Sequence, residues 1–299
     1  MIVPRYLEKG DKIGIIAPAR CINFEEVHPS IRVFQKWGLE VVLGTNIFRR
    51  CNQFSGKDEL RHADLQQMLD DDSIRAVICA RGGYGTARII DKLNFQGFCR
   101  NPKWIIGYSD ITVLHSHIQR HFGIETIHAT MPVNIVSDTV VSDSLETLKN
   151  AVFGKSLNYR VPRNPLSRSG DAEAILTGGN LSILYSLMGS VSELESSGKI
   201  LFLEDVDEYL YHIDRMMMAL KRAGKLDKIK GLIIGGMNRM NDNNVPFGRT
   251  ANEIIEEATK EFSYPVCFDF PAGHGETNLA LILGRTVKFS VNKEVTLAF

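Results

Sequence analysis

The stretch KWIIGYSDITVLH, residues 103–115, decides the fold. Trp104, Ile105, Ile106 and Gly107 form an unbroken apolar run, as expected of a strand covered on both faces. After a sharp turn at Tyr108-Ser109-Asp110, Ile111, Leu114, Ile118 and Phe122 recur at three- and four-residue spacing, and Gly123 marks the end of a helix with one buried face. The same pairing recurs upstream. Apolar runs at 12–17 (KIGIIA), 40–44 (EVVLG) and 76–80 (AVICA) precede helical patterns at 24–38, 58–71 and 86–93, and a further run, ETIHA, falls at 125–129. Strands alternating with amphipathic helices predict a parallel sheet wound on both faces.

Near residue 154 the texture changes. GKSLNYRVPRNPLSRSGD, residues 154–171, is rich in proline, glycine, serine and asparagine and carries little apolar periodicity. We expect a domain spanning 1–153, a linker over 154–171 and a second domain over 172–299. The second domain reads as mixed α/β. Its strands are expected in KILFLED, GLIIGG, PVCFDF, TVKFSV and EVTLAF, and its helices in GGNLSILYSLMG, YLYHIDRMMMALKRAG and TANEIIEEATKEF. The 299 residues suffice for one large or two modest domains. Lysine plus arginine equal aspartate plus glutamate at 35 each, so no net field favours nucleic acid or an anionic membrane. No apolar stretch approaches the roughly 18 residues of a membrane span, and the first residues lack the apolar core of a signal peptide. The expected location is the cytoplasm. Five widely spaced cysteines, none in a C-x-x-C pair, argue against a disulfide framework and a zinc ribbon.

Ser109 stands where a parallel strand ends and a helix begins, the rim on which open α/β sheets build their sites. The first-turn amides of that helix point at any anion forming beside the hydroxyl, as an acyl-transfer intermediate requires. A serine here also suits a plain helix cap. For a serine nucleophile, a base and an acid must come from elsewhere in the chain. Of eight histidines, His115, His117 and His121 lie on the following helix and His128 in or beside a strand. HIQRH (117–121) has metal-ligand spacing yet lacks the glutamate of H-E-x-x-H, so no metal is expected there. His274, flanked by glycines in PAGHGETN, has the freedom to reach into a cleft, though it also reads as an ordinary loop histidine. Glu204 and Asp205 end an apolar strand, where buried carboxylates need partners. Asp207 and Glu208, just beyond, suit a solvated helix start. The glycine-rich ARGGYGTARIID (80–91) again lies between strand and helix. Its backbone N–H groups suit a phosphate, half of an oxyanion hole, or a tight turn alone; it matches neither dinucleotide nor P-loop motifs.

GIIAPA, ARGGYG, IIGYSD, TGGNLS, LFLED and GHGETN, in this order over essentially the whole length, resemble the serine-type LD-carboxypeptidases, which include murein tetrapeptide carboxypeptidases and microcin-immunity peptidases. The resemblance implies Ser109 as nucleophile, Glu204 as the acid orienting the base, His274 as the general base, and the backbone N–H groups of Asp110 and Gly83 as oxyanion donors. It implies a flavodoxin-like first domain carrying the nucleophile, a mixed α/β second domain carrying acid and base, no metal or cofactor, and a homodimer. The expected reaction removes a terminal D-alanine from an L,D-linked murein tetrapeptide in peptidoglycan recycling. Hydrolysis of peptidyl or aminoacyl adenylates is the nearest alternative, and a phosphate- or nucleotide-binding module is the alternative of another class. The turn Gly107-Tyr108-Ser109-Asp110-Ile111 departs from G-x-S-x-G by placing isoleucine at the second glycine.

Overall fold

The computed structural model describes residues 1–140 and 142–299. Two sheets organise it. The first takes β1 (Lys12–Ile16), β2 (Glu40–Leu43), β3 (Ile74–Cys79), β4 (Trp104–Gly107) and β5 (Thr126–His128) in parallel, in the spatial order β2-β1-β3-β4-β5 of flavodoxin-like folds. Helices α1 (Phe24–Lys36), α2 (Asp58–Asp70), α3 (Gln96–Arg100) and α4 (Thr112–Phe122) connect or follow these strands. The expected helix at 86–93 is instead two short 3₁₀ turns, Thr86–Arg88 and Ile90–Lys92. Helix α5 (Asp143–Val152) closes the first half.

The second sheet is built from β6 (Asn158–Pro162), β7 (Gly170–Asn180), β8 (Ile200–Val206), β9 (Gly231–Asn238) and β10 (Val266–Cys267), while β11 (Leu281–Leu283) departs to the first sheet. β12 (Thr286–Val291) and β13 (Glu294–Ala298) complete it in the order β10-β9-β8-β7-β12-β13-β6. Its first four strands are parallel and its last four antiparallel, with β7 shared between the two regimes. Helices α6 (Leu181–Ser186), α7 (Leu210–Arg222) and α8 (Ala251–Thr259) cover the parallel part.

Two pairings escape a reading by local pattern. The proline- and serine-rich stretch carries β6, which pairs with β13, and β11 adds antiparallel to β5, so the first sheet takes its sixth strand from the far half of the chain. Both depend on partners distant in sequence, which periodicity cannot reveal. One apolar cluster runs from Ile106 and Ile127 of the first sheet to Leu176 and Phe202 of the second and Phe270 in the loop after β10, and fixes the two halves around a shared seam.

Candidate active site

The turn after β4 bends abruptly. Tyr108 is extended, and Ser109 has φ +63°, in the left-handed region where an L-residue pays about 1–2 kcal/mol. The chain then makes a single 3₁₀ turn, Ser109–Ile111, into α4. No side-chain cap is made at either helix start, so the capping role open to Ser109 is not the one it plays. The strained turn places Ser109 on the lining of a cleft of about 610 Å³.

The glycine loop closes on this turn. A Cβ on Gly82 would stand 2.8 Å from Ser109 Cβ and 2.9 Å from its Oγ, so only glycine permits the approach. Asp110 turns inward: its Oδ2 accepts the N–H of Thr86 at 2.8 Å, which pins the serine turn to the loop. Burial pushes the Asp110 carboxyl up from its ordinary value, against that hydrogen bond and the nearby Arg61 charge. Arg61, buried on α2, donates to the carbonyls of Pro18 and Gly85 (3.0 Å to the latter) and pairs with Asp58. Among the described residues, the backbone N–H groups of Gly83 and Asp110 have no protein acceptor.

The second sheet supplies the other wall. Alternation along β8 sends Phe202 toward the seam and Leu201 and Leu203 toward α7. The pairing of β8 with β9 shifts register between Leu203 and Asp205, a bulge of the kind that re-aims side chains beside active sites. The two adjacent acids accordingly have separate partners. Glu204, fully buried, accepts His274 Nδ1–H at 2.7 Å and the His274 backbone N–H at 3.2 Å through Oε2. Its Oε1 has no partner among the described residues, so His274 supplies all the hydrogen bonds recorded for this carboxylate. Asp205 accepts Asn180 Nδ2 at 2.9 Å and the N–H groups of Ser182 at 2.8 Å and Val206 at 2.9 Å, and thereby holds the start of α6. Burial, reinforced by the Glu204 charge, pushes the Asp205 carboxyl up to about 6.

His274 is seated from several sides. A Cβ on Gly273 would come within 2.5 Å of Glu204 Oε2, so glycine is needed for the loop to lie over the carboxylate. Asn238 Nδ2 donates to the His274 carbonyl at 2.7 Å. The Tyr108 ring packs 4.7 Å from the imidazole, centroid to centroid, and its hydroxyl donates to Asn134 Oδ1 at 3.2 Å. In a neutral imidazole, an Nδ1–H committed to Glu204 places the lone pair on Nε2. Ser109 and His274 line the same cleft, and no hydrogen bond joins them among the described residues. In unliganded sites such bonds are commonly long and tighten as substrate seats.

Elsewhere the histidines have other duties. His117 Nδ1 bonds Ser192 Oγ at 2.8 Å and His121 Nε2 bonds the Val191 carbonyl at 2.8 Å, both fastening α4 to the loop before β8. Among the described residues no group of three or more His, Cys, Asp or Glu side chains is arranged to hold a metal ion.

The LD-carboxypeptidase N-terminal domain profile matches residues 13–129, and the C-terminal domain profile matches residues 173–289. The chain belongs to the LD-carboxypeptidase family. It is 34% identical over 292 residues to the probable murein peptide carboxypeptidase of Bacillus subtilis (strain 168), covering 94% of this chain and 89% of the relative. It is 27% identical to the murein tetrapeptide carboxypeptidase of Pseudomonas aeruginosa, covering 94% of each. Among solved structures, the muramoyltetrapeptide carboxypeptidase from Oxalobacter formigenes superposes with a TM-score of 0.88 at 25% identity, covering 96% of this chain and 98% of that one. The microcin C7 self-immunity protein MccF, in complex with aspartyl sulfamoyl adenosine, shares the fold at a TM-score of 0.87 and 21% identity, covering 100% of this chain and 99% of that one.

In this LD-carboxypeptidase family member, motif reading overlooks Tyr108, Asn238 and Arg61. Tyr108 was visible as the neighbour of Ser109, but a ring against His274 is a contact between chain halves. Asn238 and Arg61 act through backbone carbonyls, and such bonds leave no spacing to recognise. Arg81 lines the cleft and donates to Glu26 Oε1 at 3.2 Å, whereas Arg88 pairs with Asp58 at 2.8 Å.

Proposed function

We propose that this protein is a serine peptidase that removes the terminal D-alanine from the L,D-linked tetrapeptide of murein, with Ser109 as nucleophile, His274 as general base and Glu204 as the acid that orients it. The observation that carries the reading is the Glu204–His274 hydrogen bond of 2.7 Å at the edge of the cleft that the left-handed Ser109 lines. Residues from separate halves of the chain line that cleft, and the resemblance of LED, GH and GYSD to the family's motifs supports these roles.

In this mechanism His274 Nε2 takes the Ser109 proton as Oγ attacks the carbonyl carbon of the L-residue. The carbonyl oxygen becomes an oxyanion held by the Asp110 and Gly83 N–H groups, beside the positive end of α4. Glu204 stabilises the imidazolium that forms. The C–N bond then breaks, His274 gives its proton to the departing amine, and an ester remains on Ser109. Water, deprotonated by His274, attacks that ester and restores the hydroxyl. The reading divides the chain into a nucleophile-bearing domain (1–153), a connection (154–171) and an acid- and base-bearing domain (172–299), keeps the cytoplasm as the expected location, and takes a homodimer from the family resemblance.

The test is stereochemical. Incubated with a murein tetrapeptide ending in D-alanine, the protein should release D-alanine and leave the L-alanine counterpart intact. Release from the L-form alone would reject the reading. Preferential cleavage of an aminoacyl adenylate would replace it with the immunity-type activity.

A further inference from the structure

Resting on the peptidase reading, a substrate cut at its last bond always brings one anion to the site, its terminal carboxylate. Three arginines line the cleft, Arg20, Arg81 and Arg239. They are not equivalent. Arg81 is engaged with Glu26. Arg20 lies with the glycine loop: its backbone N–H donates to the Gly82 carbonyl at 3.3 Å, and a Cβ on Gly83 would stand 2.9 Å from Arg20 Cβ. That is the wall that carries the oxyanion donors.

Arg239 stands at the opposite wall. It follows Asn238, whose side chain holds the His274 carbonyl, and it lies near enough to Tyr108, whose ring packs against the His274 imidazole, for its charge to offset a small part of the rise that burial imposes on the phenol pKa. Arg239 is exposed into the cleft at the end of β9, with φ +52°, a left-handed conformation that arginine adopts only at a cost. Among the described residues no carboxylate lies within 4.0 Å of its guanidinium. Two acids that line the same cleft, beyond the end of β8, are otherwise occupied: Asp207 Oδ1 accepts Asn241 Nδ2 at 3.0 Å, and Glu208 Oε2 bonds His212 Nδ1 at 2.6 Å.

Acyl transfer decides between the walls. The imidazole that removes the hydroxyl proton returns it to the leaving nitrogen, so the leaving residue lies on the imidazole side and the oxyanion on the other. When the leaving group is one amino acid, its carboxylate is separated from that nitrogen by a single carbon. We infer that Arg239 binds the terminal carboxylate of the departing residue and so confines cleavage to the last bond of the peptide. The planar guanidinium fork suits a carboxylate better than a lysine does, because it donates two parallel hydrogen bonds.

The experiment compares the tetrapeptide as free acid with the same peptide ending in D-alaninamide, for the wild type, Arg239→Gln, Arg239→Gly, Arg239→Lys and Arg20→Gln. Glycine relieves the left-handed backbone while removing the charge. The wild type should prefer the free acid. In Arg239→Gln and Arg239→Gly, kcat/KM for the acid should fall about 10- to 100-fold, mainly through KM, while the amide is cleaved as before. Arg239→Lys should recover part of the loss, and Arg20→Gln should keep the preference. A preference that survives in both neutral variants of Arg239, or disappears only in Arg20→Gln, overturns the assignment. Equal cleavage of acid and amide by the wild type overturns it too, with the peptidase reading intact. If the wild type hydrolyses neither peptide, the peptidase reading itself has failed and this assignment falls with it.

Discussion

The serine turn and the His274 loop form facing walls of one cleft, and they are fixed by different means. The serine wall is held through its backbone: a left-handed residue at Ser109, a glycine at position 82 that lets the loop close, and a main-chain N–H of Thr86 captured by Asp110. The histidine wall is organised through side chains, with Glu204 gripping the imidazole, Asn238 gripping its carbonyl and the Tyr108 ring packed at a tilt against it. One wall fixes where atoms and dipoles stand. The other fixes how an imidazole is oriented.

The largest expected effect separates proton transfer from scaffolding within the second wall. His274→Ala should lower kcat by about 10⁴- to 10⁶-fold, and Glu204→Gln by about 10⁴-fold because the amide favours the wrong tautomer. Asp205→Ala, one residue along, should chiefly lower stability, by about 1–3 kcal/mol, since it strands the N–H groups of Asn180, Ser182 and Val206. Rates of D-alanine release and urea unfolding of the three variants measure this. A larger loss of turnover in Asp205→Ala than in Glu204→Gln would break the division of labour between the two acids.

The next effect belongs to the backbone wall. Gly82→Ala should reduce kcat by about 10²- to 10³-fold, the scale of losing an oxyanion donor, because the added methyl pushes the loop away from Ser109 and the Asp110 amide. The fold should survive, as judged by an unchanged far-UV spectrum and melting profile. Unaltered turnover in this variant would mean that the glycine loop takes no part in the reaction.

The smallest effect lies in the seam between the walls. His128 is fully buried between Tyr108 and Phe202, with ring centroids 5.8 and 5.0 Å away, and neither ring nitrogen has a partner among the described residues. Burial, with the neighbouring His115 and His274, holds its pKa well below the ordinary value of 6.5. A depressed folded-state pKa makes its contribution to stability complete above pH 6.5 and progressively lost as the pH falls below it. His128→Phe should therefore flatten the decline in stability between neutral and acidic pH and raise stability at pH 7 by about 1 kcal/mol, seen in urea unfolding across that range. An unchanged pH slope would show that other groups carry the acid sensitivity.

Legibility in the sequence follows the same contrast. The strand, turn and helix around Ser109 could be read directly, because their periodicities are local, and a parallel sheet wound on both faces followed from repeating that unit, whereas its flavodoxin-like strand order came from the family resemblance. The series of six short motifs drew attention to Glu204 and His274. Their meeting was not readable, since it depends on a register shift in β8 and on a loop folded back by Gly273. The strand β6 was hidden in a stretch whose composition suggests a connector, because its pairing with β13 is long-range. The left-handed backbone of Ser109 was equally invisible, since nothing in the residue type announces it; only coordinates separate a strained nucleophile from a helix cap.

The attachment of β11 to β5 has a consequence for how the molecule is made. As the chain leaves the ribosome, the first sheet emerges with its β5 border uncovered, and the strand that seals it, Leu281–Leu283, is synthesised only after β6 to β10 of the second sheet and the His274 loop. Under the roles proposed for Ser109, Glu204 and His274, synthesis thus completes the sheet that carries the serine only after the other two residues have been made.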